Sequence, residues 1–235
     1  MTSLAEQNDA QLGGPLSVLV RQKRDHVALD ALLHQLHSST GTEQDEVLMR
    51  ICRLVFPHAF AEEAVLWPVI RRSLSDGEAL TLQVEEEHQE VNELVTRLEA
   101  GDVDAERQAL LDRLTMVLRE DVRDEEDVLL PRLQQQLTPS QLRRLGLAWE
   151  VVRRIAPTRP HPTVARRPPG NALAAAPLSL LDRTRDLLDY LARRAPARAA
   201  PSLRTASQSL AAAAGRVERL GPMRRGERAS TAVPH

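Results

Sequence analysis

Apolar residues recur at helical spacing through the first two thirds of the chain. Leu16, Leu19, Val20, Val27, Leu29, Leu32, Leu33 and Leu36 follow a largely 3.6-residue period and predict a helix from about Pro15 to Ser38. Ser38-Ser39-Thr40-Gly41 breaks it, and Thr42, with Asp45 three residues on, is placed to cap a second helix from about Glu43 to Ser73. Pro57 lies inside that helix and predicts a kink or an offset start just before His58. Ser75-Asp76-Gly77 marks its exit. A third helix is expected from about Glu78 to Glu99, closed by Gly101, and a fourth from about Asp104 to Gln136, with Pro131 near its end. Thr138-Pro139-Ser140-Gln141 puts Thr at the N-cap, Pro at the first helical position and Gln at the third, opening a short fifth helix that ends near Ile155. Four long helices with short polar joins predict an all-α, up-down-up-down four-helix bundle over residues 14–155. Residues 1–13 read as a disordered lead, 156–176 as a Pro-rich linker, 177–220 as two amphipathic basic helices and 221–235 as a disordered tail.

Composition adds two points. Aromatics make up 2% of the 235 residues, so the core must be built from Leu, Val, Ile and Ala, which favours helices over a β-sandwich. Net charge is −2, but unevenly spread: 17 Lys/Arg against 28 Asp/Glu through residue 155 gives −11, and 14 against 5 beyond it gives +9. The basic segment is therefore expected to dock on its own bundle or on a sister chain, a route to self-association. Nucleic acid is disfavoured because no aromatic platform or DNA-reading motif accompanies the Arg residues. One cysteine, Cys52, excludes an intrachain disulfide and reads as a buried inert thiol in a reducing, cytoplasmic compartment. No apolar run reaches membrane-spanning length, and the N-terminus lacks the apolar core of a secretion signal.

The chemistry lies in a repeat. His58-Ala-Phe-Ala-Glu62-Glu63 ending at Pro68 and Asp121-Val-Arg-Asp-Glu125-Glu126 ending at Pro131 superpose with a constant offset of 63, and Asp25-His26 against Glu87-His88 repeats at 62. A unit of a lone His followed by ligand-x-x-x-Glu thus occurs twice. On a helix, residues four apart lie about 40° and 6 Å from each other, so both members of His58/Glu62 and of Asp121/Glu125 can reach one ion. With His26 and His88 from the other two helices, three imidazoles and three carboxylates converge on one level of the core. Burying them is tolerable only around cations. Two ions bridged by Glu62 and Glu125 would use all six and leave room for a small exogenous ligand. Mixed imidazole and carboxylate donors suit iron, with manganese and zinc as competitors. Glu63 and Glu126 read as surface charge or as partners of imidazole N–H groups, surface charge being favoured; Glu85-Glu86-Glu87 reads as a solvated face. His34 and His37 lie too far along the helix from His26 to join the site. Trp67 and Phe60 read as its hydrophobic wall, and Trp149 as the staple of the fifth helix.

The pattern His…His-x-x-x-Glu…His…ligand-x-x-x-Glu, with doubled Glu and trailing Pro, resembles the haemerythrin HHE cation-binding family over about residues 16–135. The resemblance implies a duplicated helical unit holding a non-haem di-iron centre on His26, His58, Glu62, His88, position 121 and Glu125. The family usually has His at position 121, where this chain has Asp, and Asn92 stands where oxygen carriers place a further His. Both departures turn the expectation from reversible oxygen carriage towards reacting with or sensing oxygen, peroxide or nitric oxide. Peroxide consumption and oxidation of ferrous iron are the enzymatic forms of that reading, although no dedicated general acid or base stands out. The alternative is a regulatory or interaction module whose metal site is degenerate at Asp121.

Overall fold

The computed structural model describes residues 2–100 and 106–232, and no strand occurs among them. The expected bundle is built from four rods. The first is α1, Val18–Ser38. The second runs through α2, Gly41–Ala61, a five-residue π turn, Glu62–Leu66, and α3, Trp67–Ser73. The third is α4, Gly77–Ala100. The fourth runs through α5, Arg107–Asp124, a second π turn, Glu125–Leu129, and α6, Leu130–Gln136. α1 packs on α2, and α4 on α5. A join of two residues between the first and second rods, and of three between the second and third, reverses the chain direction between neighbours that pack side by side. The Gly101 stop and the Asp104 start expected from the sequence lie outside the described residues.

Both π turns begin at the Glu of the repeated motif, and the trailing prolines explain them. Pro68 and Pro131 have no N–H to return to the carbonyl four residues back. The ladder widens instead: Trp67 N–H bonds to Glu62 O and Leu130 N–H to Glu125 O, each five residues back. Pro57, by contrast, does not interrupt α2, which is continuous from Gly41 to Ala61; the departure from α-geometry comes four residues after His58, at Glu62. Thr40 rather than Thr42 stands at the N-cap of α2.

α7, Pro139–Ile155, opens with the expected capping box: Thr138 Oγ1 accepts from Gln141 N–H while the Gln141 side chain accepts from Thr138 N–H. It lies across α1 and α2. Gly146 permits the approach, because a Cβ there would stand 2.1 Å from Leu16 O. Trp149 is fully buried and holds α7 to the bundle, as expected.

Two apolar clusters fill the bundle. One holds Leu29, Leu33, Ile51, Val95, Leu111 and Leu118; the other holds Leu19, Leu66, Trp67, Ile70, Leu130 and Trp149. The polar layer described below separates them. Residues 2–13, expected as disordered, instead pack on the second cluster: Leu4 and Leu12 are fully buried, and Leu4 N–H bonds to Glu126 O at 2.9 Å. Gly13 and Gly14, both at φ near +90°, turn the chain into α1.

The C-terminal third also departs from expectation. α8, Gly170–Arg194, begins before its expected start and contains Pro177; it pairs with α9, Ala200–Glu218, over a small core of Val164, Ala174, Leu178 and Ala214. A 3₁₀ turn, Gly221–Arg224, follows, inside the expected tail. Residues 156–169 lie against the bundle as a strap rather than a free linker. Arg159 bonds Asp186 and Asp189 and forms an ion pair with Glu99 at 3.2 Å; Arg167 clasps Glu85 at 2.7 Å. The charge contrast between the two parts of the chain is expressed as this docking.

Candidate metal centre

The layer between the two clusters contains all six residues singled out by the repeat, all buried. His26 comes from α1, His58 from α2, His88 from α4 and Asp121 from α5, while Glu62 and Glu125 open the two π turns. His26 Nε2 lies 3.2 Å from Glu125 Oε2. His58 Nε2 lies 3.0 Å from Glu62 Oε1. His88 Nε2 lies 3.7 Å from Glu62 Oε2 and 3.5 Å from Asp121 Oδ1. Donor atoms of His26, His58 and Glu125 lie within 4.8 Å of one another, as do those of Glu62, His88 and Glu125. Glu125 belongs to both groups, and Glu62 offers one oxygen to each side. Asp121 belongs to neither triple and is placed through His88.

Each imidazole turns its Nε2 inward because its Nδ1 is held from behind. His26 Nδ1–H donates to Glu126 at 2.8 Å, His58 Nδ1–H to Asp25 at 3.2 Å and His88 Nδ1–H to Glu63 at 3.0 Å. Glu63 and Glu126 are therefore not surface charge: Glu63 is 1% exposed, and the two carboxylates fix the ring orientation of His88 and His26. Asp25, immediately before His26, was missed as a partner. The signal was available, since Glu63 and Glu126 repeat at the same offset as Glu62 and Glu125, which solvated charge would not require. Glu85 is likewise not solvated but fully buried, between Arg71 and Arg167. His34 and His37 are exposed and apart from the cluster.

Aromatic rings close the layer. Trp149 meets His58 edge-on at 5.4 Å, and Trp67 stacks near His88 at 6.3 Å. The inner atoms remain unsatisfied: both oxygens of Glu62, both of Glu125, Asp121 Oδ1 and His88 Nε2 are buried without a hydrogen bond. Buried polar atoms in that state are destabilising unless something binds them, and five of the six belong to Glu62, His88 and Glu125, one of the two groups whose donor atoms come together. Their chemistry, carboxylate oxygens with imidazole nitrogens, is that of a cation site.

Protonation follows the crowding. Burial pushes the Glu125 carboxyl up to about 8, with the charges of Glu62 and Asp121 adding to it. Burial opposes a proton on His26, but the nearby carboxylates of Glu125 and Glu126 outweigh it and lift the ring to about 9. His58 and His88 rise well above the usual imidazole range, against burial, through Glu62 and Asp25 in one case and Asp121 and Glu63 in the other.

An all-helical bundle with a buried histidine–carboxylate layer of this kind presents a candidate cation site of the ligand-x-x-x-Glu type. Residues 18–133 match the family described as Hemerythrin HHE cation binding domain, and across them the chain belongs to that family. It is also 24% identical over 173 residues to a hemerythrin-like protein of Schizosaccharomyces pombe described as uncharacterized, covering 71% of this chain and 83% of that one. That likeness runs past the family domain into the C-terminal third. No solved structure matches. No helix among the described residues is long and apolar enough to cross a membrane.

Proposed function

We propose that the layer holds two non-haem iron ions, His26 and His58 serving one, His88 and Asp121 the other, with Glu62 and Glu125 between them, and that the protein reacts with or senses oxygen, peroxide or nitric oxide. The observation that carries this is the set of buried donor atoms without a hydrogen bond, lying in or beside two imidazole–carboxylate triples that share Glu125. Iron bound there would supply a redox-active Lewis acid with positions free for a small ligand.

The chain's own residues do the rest. Glu126, Asp25 and Glu63 hold the imidazole lone pairs inward. Trp67, Trp149 and the apolar clusters on either side keep bulk water away, which strengthens every charge interaction within. Asn92, at the position of the carriers' extra histidine, is turned away: it accepts from His161 N–H and donates to the His88 carbonyl. Asp121 in place of an imidazole adds negative charge, which favours the ferric state. Both features support turnover or sensing over reversible carriage. The buried free thiol of Cys52 supports a reducing, cytoplasmic setting.

The test is anaerobic iron loading of the purified chain, with metal analysis and a Mössbauer spectrum, followed by peroxide or nitric oxide. Two irons per chain, lost in Glu62→Ala, are expected, with spectral change on adding the oxidant. A chain that takes up no iron refutes the reading; one iron per chain would favour a site degenerate at Asp121.

A further inference from the structure

The strap at residues 156–169 lands on the turn of α4 that carries His88. Asn92 Oδ1 accepts the His161 N–H at 2.9 Å, while Asn92 Nδ2 donates to the His88 carbonyl at 2.8 Å. Gln89 Nε2 donates to Pro162 O at 3.2 Å. Arg166 then reaches inward. Its Nη2 donates to the carbonyls of His161 and Val164 at 2.9 and 3.0 Å, which fixes the guanidinium. Its Nη1 stands 3.8 Å from Glu63 Oε1, the oxygen that accepts from His88 Nδ1. Arg159 and Arg167 anchor the strap on either side through Asp186 and Glu85.

A carboxylate as buried as Glu63 needs a compensating cation. His88 alone cannot be that cation and also offer Nε2 to a metal ion. Arg166 resolves the conflict, because its charge persists at any working pH. In the other half an arginine of α7 does the same for one ring, Arg153 Nη1 standing 3.7 Å from Asp25 Oδ2, which accepts from His58 Nδ1, while Glu126, behind His26, is partly exposed to water; only the His88 side draws its arginine from the strap.

We propose that Arg166 is a positioning residue for the His88 side of the cation site, acting through Glu63. The C-terminal strap thereby sets how tightly that side binds. The inference rests on the reading of the layer as a two-cation site. It makes residues 156–169 part of the centre rather than a separable appendage.

Cobalt(II) titration of the full-length chain tests it, following the visible spectrum and binding in two steps. Arg166→Gln keeps a donor for the strap carbonyls but removes the charge. One of the two steps should weaken about tenfold, the scale of losing an outer partner of a ligand, with the other unchanged. Arg166→Lys should recover most of the loss. In a Glu63→Gln background the Arg166→Gln change should have little further effect, since its route is gone. Arg183→Ala, which breaks a contact between α8 and the end of α7, should leave both steps unaltered. Unchanged steps in Arg166→Gln, or equal weakening of both with or without Glu63, overturn the proposal while the two-cation reading stands. A wild-type chain that binds no cobalt overturns that reading itself, and the proposal with it.

Discussion

Filling the centre must expel protons, and the structure says roughly how many. In the metal-free chain at pH 7, His26 (about 9), His58 and His88 carry both ring protons, and Glu125 (about 8) is mostly protonated. The Nδ1 protons are held by Glu126, Asp25 and Glu63 and remain on binding. The three Nε2 protons and the Glu125 proton occupy the positions a cation needs, so about four protons should leave as both ions bind. Each proton released strengthens loading about tenfold, or about 1.4 kcal/mol, per pH unit while its group is still protonated.

Stability of the metal-free chain should move the opposite way. A raised imidazole contributes stability that is full below its unfolded value and lost as pH rises through the folded one, here from 6.5 through about 9 for His26. A raised carboxyl is also held more tightly by the folded chain, so the Glu125 contribution is lost between 4.5 and about 8. Both lower the melting temperature of the metal-free chain as pH rises from about 6.5 to 9, while zinc loading, being redox-inert, should widen the gap between loaded and free forms over that window. Calorimetric zinc titration in two buffers of different ionisation heat counts the protons. Release of one proton or fewer, or a metal-free melting curve flat across the window, would refute the reasoning.

Three further outcomes follow from particular contacts. Asp121→His should set an imidazole against Glu87 as His58 sits on Asp25. The Glu87 carboxyl, pushed to about 7 by burial and then by the charge of Asp121, should return towards 4.5, raising metal-free stability at pH 8 by about 1 kcal/mol after allowance for its solvent contact; a carboxyl NMR titration reads the shift. Gly146→Ala should destabilise by about 3 kcal/mol in urea, because its Cβ meets the backbone at Leu16 O and Val18 N, which cannot yield, and indole fluorescence should report Trp149 leaving His58. Glu85→Ala should destabilise by about 3 kcal/mol by taking the buried carboxylate from half-buried Arg71 and buried Arg167 and leaving them only the exposed Glu78, again measured in urea.

The six residues of the layer were legible because the repeat constrains them jointly: histidines and carboxylates spaced at two constant offsets have no reason to recur unless they meet. Their supports were less legible. Whether Glu63 faces water or His88 depends on how the second rod, at its π turn, is rotated about its axis against α4, which a one-dimensional pattern does not specify, although the shared offset hinted at it. The π turns were written in Pro68 and Pro131, but Pro57 carries the same residue type with no such consequence, since α2 tolerates one missing hydrogen bond there. The strap was hidden by composition. Five prolines and several Arg in a short stretch ordinarily mark a solvated linker, and only the contrast between −11 and +9 suggested that those Arg residues had acids to meet.

The repeat is most informative where it fails. Three of its four histidine positions are filled, each with a carboxylate behind the ring: His26 with Glu126, His58 with Asp25, His88 with Glu63. The fourth would be an imidazole at 121 backed by Glu87, and there two acids face each other, leaving Glu87 Oε2 buried and unpartnered. One side of the layer is thus imidazole-rich and the other carboxylate-rich. On the two-cation reading this asymmetry orders the site: the His88–Asp121 side presents more negative charge to its ion, and it is behind this side that the strap supplies the Arg166 guanidinium. A fixed cation there offsets part of the added charge without occupying a ligand position. Substitution at 121 and docking of the strap therefore act on the same local field. An Asp121→His chain should depend less on Arg166 for cobalt affinity than the wild type does, and an equal dependence in both would separate the two features.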